Sequence, residues 1–487
     1  MDAIQTLDSD INSYLSGNPT YNSYKDYWRY LFESYIGGEE YRNAGHLVKY
    51  QNESSREYRA RLETTPMQNH CQSVISVYNS FLFRSPPVRE FGGLEGTPAL
   101  QNFLKDADMD GRNFNTFMKD VSTISSIFGA AWVIVSKPNV GAATLGAEIE
   151  QGVRPYVNVL SPQVVLDWSY QRLVNGKYVL DRLKYIEDAN GEIITIKEWN
   201  AETITTTVVD KENDRMVDRM VEPNGLGMIP VVIVYNKRSI IRGIGVSDIG
   251  DIADAQKFIY NAMSEIDQSI RLDSHPSLVK TENTHAGVGA GAIIHMDESL
   301  DPGLKPYILD HAGASVDKIL ATIDQTVGSI DKMANTGAVR ATSATSMSGV
   351  AMETEFQLLN ARLSEKGDNL ELAEEYIWQL FAAYQGTQWD GMVEYPNSFN
   401  LRDAANDLEL YLKASTTSAG ENFRKQLHKQ IARTVIEDEL ALDEIIQEIE
   451  SDAYEPHVMQ DPDSGETRIV VTEAEHLALG AQGWIHP

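Results

Sequence analysis

One cysteine, Cys71, stands among 487 residues, so the chain can form no internal disulfide and its stability must come from packed cores. Long apolar runs are missing as well. The longest, such as Ala130 to Val135, fall far short of the roughly 20 residues a membrane helix needs. Basic residues are few: 41 Lys and Arg stand against 71 Asp and Glu, a formal charge of −30. Gripping phosphates takes clustered cations, so this balance excludes a surface built to hold nucleic acid or anionic membrane tightly. The first twenty residues show neither a basic n-region nor an apolar h-region, so no secretory leader is readable. With the lone cysteine, this sets the expectation of folding in a reducing cytosol, or in a particle assembled there.

Chemical signatures are equally scarce. HExxH, GxxxxGK[ST], GxSxG and CxxC do not occur, and the ten histidines do not fall at metal-ligand spacings. Ser315-Val-Asp-Lys318 fits SxxK but has no downstream Lys-Thr-Gly companion. Gly287, Gly289 and Gly291 lack the sixth-position glycine of a dinucleotide fingerprint and precede a strand-like run. His70 beside Cys71 reads as a packed neighbourhood on a helix. The remaining candidate is Asp106-Ala-Asp108-Met-Asp110-Gly111, which opens like a calcium loop, yet its twelfth position is Phe117 where a bidentate Glu is required. An acidic turn ahead of a helix starting near Asn113 explains it better. An acidic cytosolic metal-dependent hydrolase using Asp106, Asp108 and Asp110 is the alternative reading this cluster leaves.

What the chain does have is 42% hydrophobic residues in three changing periods, and length for roughly three domains. Residues 21 to 83 read as helices, with Tyr24, Trp28, Leu31, Phe32 and Tyr35 at helical spacing before a Gly37-Gly38 stop. A second helix from about Met67 carries Val74, Val77, Tyr78, Phe81 and Leu82 to the Pro86-Pro87 break. From Ala130 to Asn236 the period becomes two, predicting strands over 132–136, 156–160, 164–168, 179–186, 193–199, 204–209 and 229–235. A mainly antiparallel sheet attached to helices makes the class α+β.

After Arg242 the helical period returns. Ile249, Ile252, Ile259, Met263 and Ile266 form one seam, and Ile319, Ile323, Val327 and Ile330 a second, each spaced to meet a partner helix. An irregular insert, residues 277–311, lies between them. A loop over 335–350 (NTGAVRATSATSMSGV) then carries a single charge, Arg340, among small polar residues. The longest helix follows, Ala351 to about Tyr384, with Gly367 as an expected kink or a tolerated surface glycine. Residues 401–455 read as an acidic helical segment, and the tail from His457 as a hairpin turning at Asp463-Ser464-Gly465.

The order of these parts resembles the portal proteins of tailed double-stranded-DNA bacteriophages. At residue level the likeness lies in Asp106 to Pro138, an acidic turn, amphipathic helix, Gly129 and apolar strand ending in proline. Ser161-Pro162 through Asp167-Trp168 and the Gly243-Ile-Gly245-Val-Ser247-Asp248 helix entry are similar too. The resemblance implies a portal-like α+β fold: an α/β wing over 1–242, stem helices over 243–272 and 313–334, and a small α/β clip over 273–312. It further implies a tunnel loop over 335–350, a long tunnel helix returning to the wing over 351–400, a helical crown over 401–455 and a tail over 456–487. The DNA-channel residues would be Asn335, Thr336, Arg340, Thr342, Ser343, Thr345, Ser346 and Ser348. It implies a ring homo-oligomer, a dodecamer, at one capsid vertex of the virion, with the host cytoplasm as the place of assembly. The implied partners are the large terminase subunit, head-tail adaptor proteins, the major capsid and scaffolding proteins, and double-stranded DNA passing through without tight binding. No cofactor and no catalysis by this chain are implied. Because both seams sit in one subunit around a small insert, they are expected to need neighbouring subunits for cover.

Overall fold

The computed structural model describes residues 14–138, 152–274, 277–280, 314–340, 349–397 and 421–435 without interruption, with shorter described stretches between 285 and 309 and between 399 and 485. The chain divides into two units, Met1–Phe399 and Asn400–Pro487.

Helices of the first unit begin where a short polar side chain can take the place of a missing intrahelical partner. Asn18 accepts from the Tyr21 N–H at 2.7 Å to open α1 (Pro19–Ile36), and Gly37, at φ 66°, ends it. α2 (Gly38–Asn43) follows directly. Ser54 and Glu57 form a reciprocal capping box on α3 (Ser55–Thr64), Asn69 caps α4 (His70–Leu82), and after β1 (Val88–Glu90) Thr97 caps α5 (Pro98–Lys105). Asn113 caps α6 (Phe114–Phe128), as the sequence placed it. Such caps are worth about 1 kcal/mol each, enough to fix where a helix starts.

β2 (Ala130–Ser136) and β3 (Tyr156–Leu160) are followed by a five-stranded antiparallel meander: β4 (Val165–Arg172), β5 (Tyr178–Asn190), β6 (Ile193–Trp199), β7 (Thr203–Asp210) and β8 (Arg215–Pro223). β9 (Val231–Tyr235) then returns to pair with β2, making a three-stranded sheet in the order β3-β2-β9. Ala130 through Val135 are all buried, which is why this strand reads as a continuous apolar run instead of an alternation. β8 escaped the sequence reading. Its residues are almost all exposed, and it is held to the meander by its ladder with β7 rather than by a buried face.

α7 (Gly250–Ser274) leads into an insert of two nested hairpins, β10 (Ser277–Val279) pairing with β13 (Tyr307–Leu309) around β11 (His285–Ala286) and β12 (Ile294–His295). α8 (Ala314–Ala334) runs back, and the antiparallel pairing of β10 with β13 sets α7 and α8 antiparallel. α9 (Gly337–Arg340) and the 36-residue α10 (Gly349–Tyr384) follow. β14 (Met392–Glu394) then pairs with β1. α10 runs through Gly367 without a break. A Cβ there would sit 3.4 Å from the Pro396 carbonyl oxygen, so the glycine serves close packing and is buried.

The two seams correct an expectation. Ile249, Ile252, Ile259, Ile266, Ile323 and Ile330 are 6% exposed or less, and Met263, Ile319 and Val327 pack against the same core. α7 lies on α8 and also on α1 and α4, so one chain covers its own seams. In the second unit, α11 (Glu421–Val435) and the hairpin of β15 (His457–Gln460) with β16 (Thr467–Val470) are described, Met459 and Val470 being buried.

Candidate functional site: the frame that anchors the loop after residue 340

α8 ends at Ala334, and Asn335 takes the left-handed conformation, φ 55°, that terminates helices. The Thr336 N–H then donates back to the Asp331 carbonyl at 2.9 Å, and α9 forms one further turn. The loop expected over 335–350 is therefore structured over 335–340 and helical again from Gly349. Thr336 is fully buried. Thr342, Ser343, Thr345, Ser346 and Ser348 lie outside the described residues.

The last carbonyls of α8 point away from their own helix and need donors. Arg362, from α10, donates to the Met333 carbonyl at 2.9 Å, and the Tyr78 hydroxyl, from α4, donates to Ala334 at 2.6 Å. A cation at this end also suits the negative pole of the helix dipole. Arg362 reaches further, to Asp248 at 3.0 Å, with its guanidinium over the Tyr78 ring.

Asp248 sits where the chain enters α7 and is shared with Lys366 of α10 at 2.6 Å. The ammonium group of Lys366 also donates to Ser126 at 2.8 Å and to Asn236, so all three of its protons are used. Burial works against the Asp248 carboxylate, but Lys366 and Arg362 outweigh it and hold the carboxyl below the usual aspartate range. A pocket of about 460 Å³ opens beside this cluster, lined by Asp248, Asp251, Met333, Arg362, Glu365 and Lys366 among others. Of its charged groups, Asp248, Arg362 and Lys366 are paired with one another.

Arg340 closes the frame from the loop side. It pairs with Asp331 of its own chain at 3.1 Å and donates to His70 Nδ1 at 3.1 Å. Its side chain is only 12% exposed. The three segments meeting here, α4, the end of α8 and α10, thus fix both flanks of the loop.

The aspartate cluster at 106–110 is assembled differently from a metal site. Asp106 accepts from the Gly111 N–H at 2.9 Å and pairs with Arg154 at 3.0 Å. Asp108 accepts the N–H groups of Asp110 and Arg112 and is paired with the Arg112 side chain. Burial raises the Asp108 carboxyl, yet those amides and the guanidinium prevail and lower it. Among the described residues, no group of three or more His, Cys, Asp or Glu could hold a metal ion. Asp106 and Asp108, two of the three carboxylates of the hydrolase alternative, are thus paired with arginines.

Sequence reasoning singled out Arg340 but missed Arg362 and Lys366. A signal was present: Lys366 interrupts the apolar series Leu359, Leu363, Leu370, Ala373 and Ile377 at the position where that series calls for another apolar residue. A lysine in a core-facing slot demands a buried carboxylate. Only the fold could say which one.

No protein-family model matches the chain, and no curated protein matches it. Among the solved structures similar to it are components of gene transfer agent particles. The neck of an empty particle, computed with C6 symmetry, aligns over 78% of this chain and 95% of its own at 10% identity, with a TM-score of 0.43. The virion of a native particle aligns over 82% and 99% at 10% identity, TM-score 0.40. The neck of a native particle computed with C12 symmetry aligns over 73% and 89% at 12% identity, TM-score 0.39. Among the described residues, no helix is long and apolar enough to cross a membrane.

Proposed function

We propose that this chain is the subunit of a portal-type ring at one vertex of a virus capsid, the channel by which double-stranded DNA enters and leaves. The observation that carries the reading is the sequence of parts: a sheet-bearing wing, α7, nested hairpins, antiparallel α8, a short loop and the long α10. α7 and α8 serve as the stem, the hairpins as the clip, residues 341–348 as the rim of the channel, and residues 401–455 as the crown. Those eight rim residues carry no charge, and the frame around Asp248 and Asp331 fixes their two flanks.

The stem helices bury their seams within the chain yet keep Phe258, Ile270 and Leu320 between 44% and 52% exposed, apolar area that neighbouring subunits would cover. The net charge of −30 suits a conduit, since carboxylates let phosphates slide past without the counterion release that would hold them. Arg340, tied to Asp331 and His70, fits a fastening better than a cation offered to DNA. In this reading the chain is not an enzyme and takes no cofactor. It docks the large terminase subunit and later head-tail adaptor proteins at the clip, meets capsid and scaffolding proteins during assembly in the host cytoplasm, and ends in the virion.

Purified protein examined by light scattering and negative-stain microscopy is expected to show a ring, a dodecamer, with a central channel. A chain that remains monomeric or dimeric at micromolar concentration overturns the proposal.

A further inference from the structure

His70 is the first residue of α4, at the end where the helix dipole is positive, and Asn69 caps the helix beside it. Arg340 donates to its Nδ1 at 3.1 Å, and a guanidinium can only donate, so that nitrogen must be bare. Its Nε2 faces the Gln68 side-chain oxygen at 3.3 Å, which takes the single ring proton. The geometry therefore requires a neutral imidazole in one tautomer.

We propose that His70, Arg340 and Asp331 form a pH-dependent latch on the leading flank of the loop, closed while the imidazole is neutral and released when it takes up a proton. Protonation at Nδ1 removes the acceptor that Arg340 uses and sets two cations about 3.1 Å apart. α9 is a single turn whose Val339 and Arg340 amides both lean on the Thr336 carbonyl, so the side chain of Arg340 is its main tie to α4. The trailing flank on α10 keeps its own frame of Arg362 and Lys366 on Asp248 and does not titrate with His70.

The charged groups facing His70 are Arg340 from α9 and Asp331 from α8, while the neighbouring Cys71 thiol is buried and pushed up to about 12. Burial and Arg340 lower the affinity of His70 for a proton and Asp331 opposes them, the first two prevailing. A histidine depressed on folding stabilises the native state above its unfolded pKa of about 6.5, and this contribution is lost as pH falls below that value. The latch lies within one chain, so its failure would leave the ring reading untouched, and a chain that formed no ring would still report on it.

Hydrogen exchange of the 336–340 amides in the full-length chain, corrected for the intrinsic pH dependence of exchange, reads the latch directly at about pH 7.5 and about pH 5. Protection should fall several-fold on acidification, because the open form binds the proton that the closed latch refuses. His70→Gln offers Arg340 an oxygen that cannot charge, and should keep the same protection at both pH values. Parallel loss in the wild type and in His70→Gln, or no loss in the wild type, overturns the proposal. A second measurement needs no variant: exchange at the imidazole C2 position of His70, followed by mass spectrometry, must give a midpoint below that of exposed histidines. A midpoint at or above theirs rejects the latch.

Discussion

Lys366 shows how much a single side chain can decide. It is 5% exposed, sits in an apolar stripe of α10, and is tolerated because Asp248, Asn236 and Ser126 are all turned toward it. Removing one member of a buried ion pair leaves a charge without a partner, which costs about 3–5 kcal/mol. Lys366→Ala is accordingly expected to lower the unfolding free energy by about that amount in urea titrations, whereas a change within 1 kcal/mol would mean that Asp248 is satisfied by Arg362 alone. Glu374 follows the same logic on the next turns of α10. It is fully buried, bonded to Arg89, the Trp378 indole and the Tyr395 hydroxyl, and again interrupts an apolar face. Both positions were visible as anomalies of period, but their charged partners, Asp248 and Arg89, lie more than 100 residues away and no local pattern points to them.

At the scale of elements, the strands between Ala130 and Asn236 other than β8 were legible because each buries apolar residues, in alternation or, for β2, as an unbroken apolar run. β8 was not legible, since a ladder to β7 holds it without asking anything of its side chains. The loop after α8 was read as starting at Asn335, because small polar residues look like loop; a left-handed Asn335 and the backbone bond from Thr336 to Asp331 are conformational events that composition does not reveal. The crossing between the end of α6 and the entry to α7 is tighter still. Gly129, at φ 88°, would place a Cβ 2.4 Å from the Gly245 backbone, while its own carbonyl accepts from the Asn236 N–H at 2.9 Å. The left-handed conformation costs an L-residue about 1–2 kcal/mol and overpacking adds about 1–3 kcal/mol. Gly129→Ala should therefore lose about 2–5 kcal/mol by chemical denaturation, and a neutral result would show that the two segments can separate.

For the molecule as a whole, the question is what remains uncovered once the chain has folded. The seams of α7 and α8 are spent within the chain, so a ring of the kind proposed would have to use other residues, and the exposed Phe258 and Leu320 on these helices are the candidates. Exposed positions usually change stability by less than about 0.5 kcal/mol when substituted. Phe258→Asp combined with Leu320→Asp should thus melt within a few degrees of the wild type while light scattering shows the ring lost. An intact ring in this variant would move the subunit contact away from the stem. Here the seam argument made from sequence failed for a physical reason: the period identifies a face that must be buried, and says nothing about whether the same chain or a neighbour buries it.

The sequence by itself determined the α+β class, the helix start near Asn113, most of the strands between Ala130 and Asn236 and the order of helix, insert, helix, loop and long helix, because these follow from period, turn chemistry and the cost of exposing apolar area. It determined too the net charge of −30, since charge is additive and independent of fold. Only the tertiary structure decided that the seams close on each other, that Asp106 and Asp108 serve arginines, and that Arg340 is fastened to Asp331 and His70. Each of these is a pairing between residues brought together by the fold, and a charge or an apolar face takes its meaning from the partner it meets.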